Sequence, residues 1–285
     1  MPWHARLELD YTLKHDTTVL HHRHEGPLRV FQSLYPEGKT ICHNVVVHPP
    51  GGLANGDVVD IAVNVGHGAH AWIGTPGATR FYRSGGEAAK QQITLRVQDG
   101  ARLEWLPLET LAYSGCLGHN TLSLQLAPTA EALLWDVLAL GQPTAGKPFE
   151  AGEFTQHMSV PGLWLEQAHI DARDTRLLNS PLGLDGQRCL GTMWQACGTA
   201  LTRERREQLL VQAAKPAVRH DQRMLTGVQA ACEFGGERID VVGHREVHER
   251  ACFDRQVGHR ENRRQRRLPN TAAGNEVQCA RTGGA

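Results

Sequence analysis

The chain has no apolar run approaching the roughly 20 residues that a membrane-spanning helix needs, which excludes a helical membrane span. It has no formal net charge, with 30 Lys+Arg against 30 Asp+Glu, so a wholly basic nucleic-acid binder is excluded. No two cysteines show the close spacing of a zinc ribbon; all seven lie scattered, at 42, 116, 189, 197, 232, 252 and 279. That pattern fits reduced thiols in a cytoplasmic protein. No secretory leader is expected, because Met1-Pro2-Trp3-His4 leads straight into charged residues. Chemical signatures are missing as well. Ser84 lies in Arg-Ser-Gly-Gly rather than a nucleophile elbow. Neither a phosphate loop nor a dinucleotide fingerprint is present.

What is present is period-two alternation. Ile61, Val63 and Val65 alternate with polar neighbours, as do Ala69, Ala71 and Ile73. Ile93, Leu95 and Val97 follow, then Leu103 and Trp105, then Leu122, Leu124 and Leu126. Between Ile41 and Ile170 this pattern means strands with one buried face. A second period is superimposed. Val65-Gly66-His67-Gly68-Ala69 returns as Val97-Gln98-Asp99-Gly100-Ala101, 32 residues on. Trp72, Trp105, Trp135, Trp164 and Trp194 follow one another at 29 to 33 residues. A period near 30 made of short strands points to stacked coils. The expected fold is mainly β, a layered or coiled solenoid-like body with a small α-helical C-terminal part. The helix is placed at 202–215, where Thr202 is a cap, strong helix formers follow and Pro216 is a stop.

Charge divides the chain. Residues 201–285 carry 16 Lys+Arg against 11 Asp+Glu, and residues 1–200 carry 14 against 19. The expected organisation is a β body with its terminal helix over 1–215 and a divergent, basic, poorly ordered tail over 216–285. The basic run at 263–267 admits a nucleic-acid arm, although the many acids and few aromatics of the tail favour a solvated segment. Sixteen histidines supply potential ligands, among them His21-His22-Arg23-His24, Cys42-His43, His67 with His70, and Cys116 with His119. None forms a complete metal site by spacing. Asp57 and Asp60 lie three apart, so on a strand they face opposite sides.

Glycine and proline punctuate the most distinctive stretch. Pro49-Pro50-Gly51-Gly52-Leu53, then Gly56-Asp57, then Thr75-Pro76, then Phe81-Tyr82-Arg83-Ser84-Gly85-Gly86 stand in that order. Further blocks are Tyr35-Pro36-Glu37-Gly38, Leu103-Glu104-Trp105-Leu106-Pro107-Leu108-Glu109-Thr110 and Leu163-Trp164-Leu165-Glu166. Together, from about Gly26 to about Ala200, this pattern resembles the urease accessory protein UreD (UreH) family. Arg80, Leu108, Ser114 and Asn55 depart from the usual residues of that pattern, and the chain after about Ala214 loses it.

The resemblance implies a largely β scaffold without an activity of its own. Such a scaffold works with UreF, the GTPase UreG and apo-urease to load nickel into urease. It implies no permanently bound cofactor, only nickel in transit, and neither a nucleic acid nor a membrane as partner. Within the matched motifs the candidate contributors to a nickel path are Asp57, Asp60, Glu104, Glu166, Cys42 and His43. The candidate partner-binding or structural motif residues are Pro50, Gly51, Gly52, Gly56, Thr75, Pro76, Arg80, Tyr82 and Arg83. A second reading is a β-solenoid metal-assisted or carbohydrate-active enzyme using Asp57, Asp60 and Glu104, which would need converging acids in one pocket.

Overall fold

Alternation along the chain becomes two facing sheets in a computed structural model, which describes residues 2–214, 227–234 and 237–247. The first sheet contains β1 (His4–Lys14), β2 (Thr17–Glu25), β5 (Val58–Val65), β8 (Ala89–Val97), β11 (Cys116–Leu126), β13 (Gly152–Val160) and β14 (Trp164–Asp171). Its order is β14-β13-β11-β8-β5-β1-β2. The second contains β3 (Arg29–Val30), β4 (Ile41–Val47), β6 (His70–Gly74), β9 (Arg102–Leu106), β12 (Glu131–Leu140), β15 (Cys189–Cys197), β16 (Gly227–Phe234) and β17 (Glu237–Val247). Its order is β16-β17-β15-β12-β9-β6-β4-β3, and the short β7 (Thr79–Phe81) and β10 (Thr110–Ala112) extend it beside β12.

From β4 to β13 the chain crosses from one sheet to the other and back, and each new strand lies parallel to its predecessor in the same sheet. His70 pairs with Arg102 and Arg102 with Glu131, so successive coils take 32 and 29 residues. The repeat read from the sequence is therefore the coil. The glycine-containing corners stack: Gln98 N–H donates to Val65 O and Ala127 N–H to Val97 O, each at 2.9 Å. Gly68 and Gly100 occupy left-handed backbone at φ 68° and 67°, which L side chains disfavour. A third corner, Ala127–Ala130, completes the ladder, and there Thr129 Oγ1 donates to Asp99 Oδ1 at 2.9 Å.

The tryptophan spacing has a different meaning. Trp72 to Trp105 is one residue longer than the coil, so Trp72 pairs with Glu104 and Ile73 with Trp105. One residue on a strand reverses the face. Trp105 is buried between the sheets, and Trp72 lies on the outer side. The inner faces meet in a single aliphatic core that includes Leu7, Leu9, Val63, Leu95, Leu103 and Leu134. Phe81 and Phe154 pack edge to face across it at 5.1 Å.

The expected helix is α2 (Arg203–Ala214), with Thr202 Oγ1 accepting from Arg205 N–H at 3.2 Å. A one-turn helix, α1 (Thr175–Asn179), is capped by Asp174 and was not anticipated. Nor was the N-terminal hairpin β1–β2, although Ala5, Leu7, Leu9 and Tyr11 alternate as cleanly as any later strand. Beyond the helix, β17 pairs antiparallel with β15. The boundary expected at 215/216 and the basic run at 263–267 lie outside the described residues. Among the described residues no helix is long and apolar enough to cross a membrane.

Candidate functional site

One flank of the coils is made of tight corners, and the opposite flank carries the longer connections 48–57, 75–78, 82–88 and 107–109. The distinctive glycine and proline motifs all fall on this second flank. Behind them, between the sheets, lies a cavity of about 150 Å³. Val46, Trp105 and Asp136 line it from the second sheet and Val59, Ile61, Gln91, Ile93, Asn120 and Leu122 from the first; His48, Gly51, Thr75, Pro76, Arg80, Pro107 and Leu108 border it from the motif flank.

A chain of polar side chains enters this space from the two sheets. Gln91 Nε2 donates to Asn120 Oδ1 at 3.2 Å, and Asn120 Nδ2 donates to Asp136 Oδ1 at 3.4 Å. Gln156 Nε2 donates to Asp136 Oδ2 at 2.5 Å. Asp136 follows Ala132 and Leu134 at an inward position of β12, so its carboxyl faces the other sheet. Desolvation pushes that carboxyl up to about 6, Glu166 adds to the rise, and the two amide donors oppose it.

The candidate path residues are distributed over several surfaces. Glu166 pairs in register with the buried Met158, shares its inward side, and is close enough to act on Asp136. Asp57 is nearly buried and anchors a turn: Oδ2 accepts from Ala54 N–H at 2.9 Å and Oδ1 from Trp3 N–H at 3.2 Å. Its charge reaches His48, whose imidazole is held below its ordinary range chiefly by burial. Asp60 lies on the outer side of β5, between Arg6 and Gln92. Glu104 lies on the outer side of β9, and its Oε1 is 2.9 Å from His70 Nε2, a hydrogen bond that holds the carboxyl below its usual range.

Cys42 and His43, adjacent in sequence, point to opposite sides of β4. Cys42 is buried, with Sγ 3.3 Å from Asn44 Oδ1. His43 stacks on Trp72 at 5.0 Å on the outer side, with Nε2 2.9 Å from Glu37 Oε1. Among the described residues no three His, Cys, Asp or Glu side chains are grouped so that they could hold a metal ion. Glu166 is thus the candidate beside the interior polar chain, and Asp57 approaches it through His48. Asp60, Glu104, Cys42 and His43 do not join them. The acids of the enzyme reading, Asp57, Asp60 and Glu104, do not share a pocket.

The motif residues form the wall of the flank. Leu53 N–H donates to Arg80 O at 2.7 Å and Tyr82 N–H to Leu53 O at 2.8 Å, zipping 51–53 to 80–82. A Cβ on Gly52 would sit 2.8 Å from Arg80 O and inside the Tyr82 ring. Gly52 is therefore required by close approach, whereas Gly51 and Gly56 sit at φ 77° and 82°. Asn55 at φ 48° occupies left-handed backbone that Asn tolerates. Arg80 Nη1 donates to Gly51 O at 3.3 Å, and Thr75 Oγ1 accepts from Leu108 N–H at 2.9 Å. Exposed Tyr82 stacks on Tyr113 at 5.3 Å, while Pro50 is exposed and Arg83 lies beside Gly115.

Sequence reading missed Asp136, Asn120, Gln91 and Gln156. The signal was available: Asp136 falls on the buried beat of Ala132, Leu134 and Leu138, and Asn120 on the beat of Leu122 and Leu124. A polar side chain at an inward strand position needs partners, so these two positions called for one another.

Fold and cavity together define a class, a stacked-coil β protein with a polar thread in the core between its two sheets. The family model described as UreD urease accessory protein matches residues 4–268, and the chain belongs to that family. It is 60% identical over 210 residues to the urease accessory protein UreD of Albidiferax ferrireducens, covering 74% of this chain and 76% of that protein. It is 54% identical over 227 residues to the UreD of Polaromonas naphthalenivorans, covering 80% and 82%. The UreD of Verminephrobacter eiseniae is 54% identical over 233 residues, covering 82% and 84%. The chain is thus an accessory protein of urease maturation.

Proposed function

We propose that this chain is a scaffold for GTP-dependent nickel insertion into urease, acting with UreF, UreG and apo-urease, and that nickel passes through it as cargo. The observation that carries this reading is the polar thread Gln91–Asn120–Asp136–Gln156 beside the intersheet cavity, with Glu166 acting on Asp136. A conduit must hold a divalent ion weakly, since a closed cage of four ligands would trap it. Amide oxygens and one or two carboxylates meet that requirement. They favour oxygen coordination, and the carboxylates supply the charge that offsets part of the ion's desolvation. The motif flank that borders the cavity, with its stacked Tyr82 and Tyr113, is the surface on which a partner that delivers or receives the ion would dock. The cytoplasm is the compartment in which such a maturation complex would work.

The test is reconstitution. The purified chain is combined with UreF, UreG, GTP, nickel and apo-urease, and complex formation and urease activity are followed separately. Asp136→Asn with Glu166→Gln is expected to leave the complex intact and to lower the activation rate. Failure of the parent chain to bind any of these partners would overturn the scaffold reading itself.

A further inference from the structure

Two imidazoles two residues apart on a strand share one side of it and can chelate one cation. The cluster His21-His22-Arg23-His24 lies in β2, the edge strand of the first sheet, whose neighbour is β1. Register divides it. His22 pairs with Leu9 and His24 with Leu7, whose side chains point inward; His21 pairs with Asp10 and Arg23 with Glu8 on the other side. His22 and His24 therefore stand on the same side of the strand. Both are exposed, and their rings lie nearly parallel, 14° apart in plane and 6.3 Å between centroids.

We infer that His22 and His24 form an exposed two-imidazole site for a borderline divalent cation, nickel, copper or zinc, separate from the intersheet cavity. The protein supplies two nitrogen ligands, and water fills the remaining positions. Neutral imidazole is the ligand form, so a proton and the cation compete for the same ring nitrogens.

Arg29 sets the strength of the site. Its Nη1 lies 3.1 Å from His24 Nδ1 and also donates to Gly26 O and Leu28 O, at 2.6 and 2.7 Å. A guanidinium can only donate, so the Nδ1 lone pair of neutral His24 faces Arg29 and the ring proton sits on Nε2. A cation must either displace Arg29 from Nδ1 or bind Nε2 as the proton moves to Nδ1. Both routes break the Arg29 contact. Arg29 thus competes with the cation and keeps the site exchangeable. The inference does not depend on the conduit reading, because it concerns the isolated chain and the metal alone.

The experiment is a nickel titration of the purified full-length, untagged chain at pH 7.5, by equilibrium dialysis and calorimetry. Circular dichroism confirms that each variant is folded. The double variant His22→Gln/His24→Gln is expected to bind one nickel ion fewer per chain than the parent. Each single variant should weaken that site about tenfold or more, as loss of one of two chelating ligands requires. Arg29→Gln should tighten it severalfold, a change that a purely structural role for Arg29 would not produce. An unchanged ion count in the double variant overturns the inference, as does weaker binding in Arg29→Gln.

Discussion

The Asn120 side chain on β11 donates from Nδ2 to the Asp136 carboxyl on β12 at 3.4 Å, joining the two sheets through the core. This contact gives a largely apolar interior a polar axis. It also fixes the pH behaviour of the fold. Asp136 titrates near 6 in the folded chain, above the roughly 3.9 of an unfolded aspartate. Between those values the folded state holds a proton that the unfolded state releases. Stability is therefore lost as pH rises from about 4 to about 6, by on the order of 3 kcal/mol. Asp136→Asn removes that dependence. In urea melts of metal-free protein, the variant should gain on the parent between pH 4 and pH 7.5. A constant difference across that range would show that the carboxyl titrates normally.

Gly52 and Gly56 fail for different reasons when substituted. A valine at 52 drives Cβ against Arg80 O and the Tyr82 ring, and valine at 56 forces a branched residue to φ 82°. Each should cost about 1–3 kcal/mol. Gly56→Asn should recover part of the loss because Asn tolerates that backbone, whereas Gly52→Asn should recover little. Thermal melts of the four variants decide it.

Asp57→Ala should destabilise the fold as well as alter any nickel traffic. Its carboxylate satisfies the backbone N–H groups of Trp3 and Ala54, and leaving them unpaired costs about 1–3 kcal/mol. Urea midpoints should therefore fall for Asp57→Ala and stay close to the parent for Glu104→Gln, whose side chain sits half-exposed on an outer face.

Much of the fold is legible in residues such as Val63, Leu95 and Leu124, which alternate and recur one coil apart. The corner glycines are equally legible, because φ near +68° selects them. Trp72 and Trp105 mislead at the level of the face, since a one-residue excess over the coil is invisible without the pairing register. The candidate site is only partly legible. Glu166 stands out by its motif, and the neighbours Cys42 and His43 look like one ligand pair although β4 sends them to opposite sides. Asp136 escapes attention because it lies between distinctive motifs, and its meaning depends on Asn120 and Gln156 arriving from the other sheet. Such convergence is a property of the folded pair of sheets rather than of any local pattern.

The measurement that bears most directly on the central claim is the rate of urease activation by the reconstituted complex containing Asp136→Asn/Glu166→Gln. The expected result is a folded variant, an intact complex and nickel loading slowed at least several-fold, with the loss diminished at high nickel. Activation at the parent rate by an intact complex would contradict passage of the ion along this interior thread.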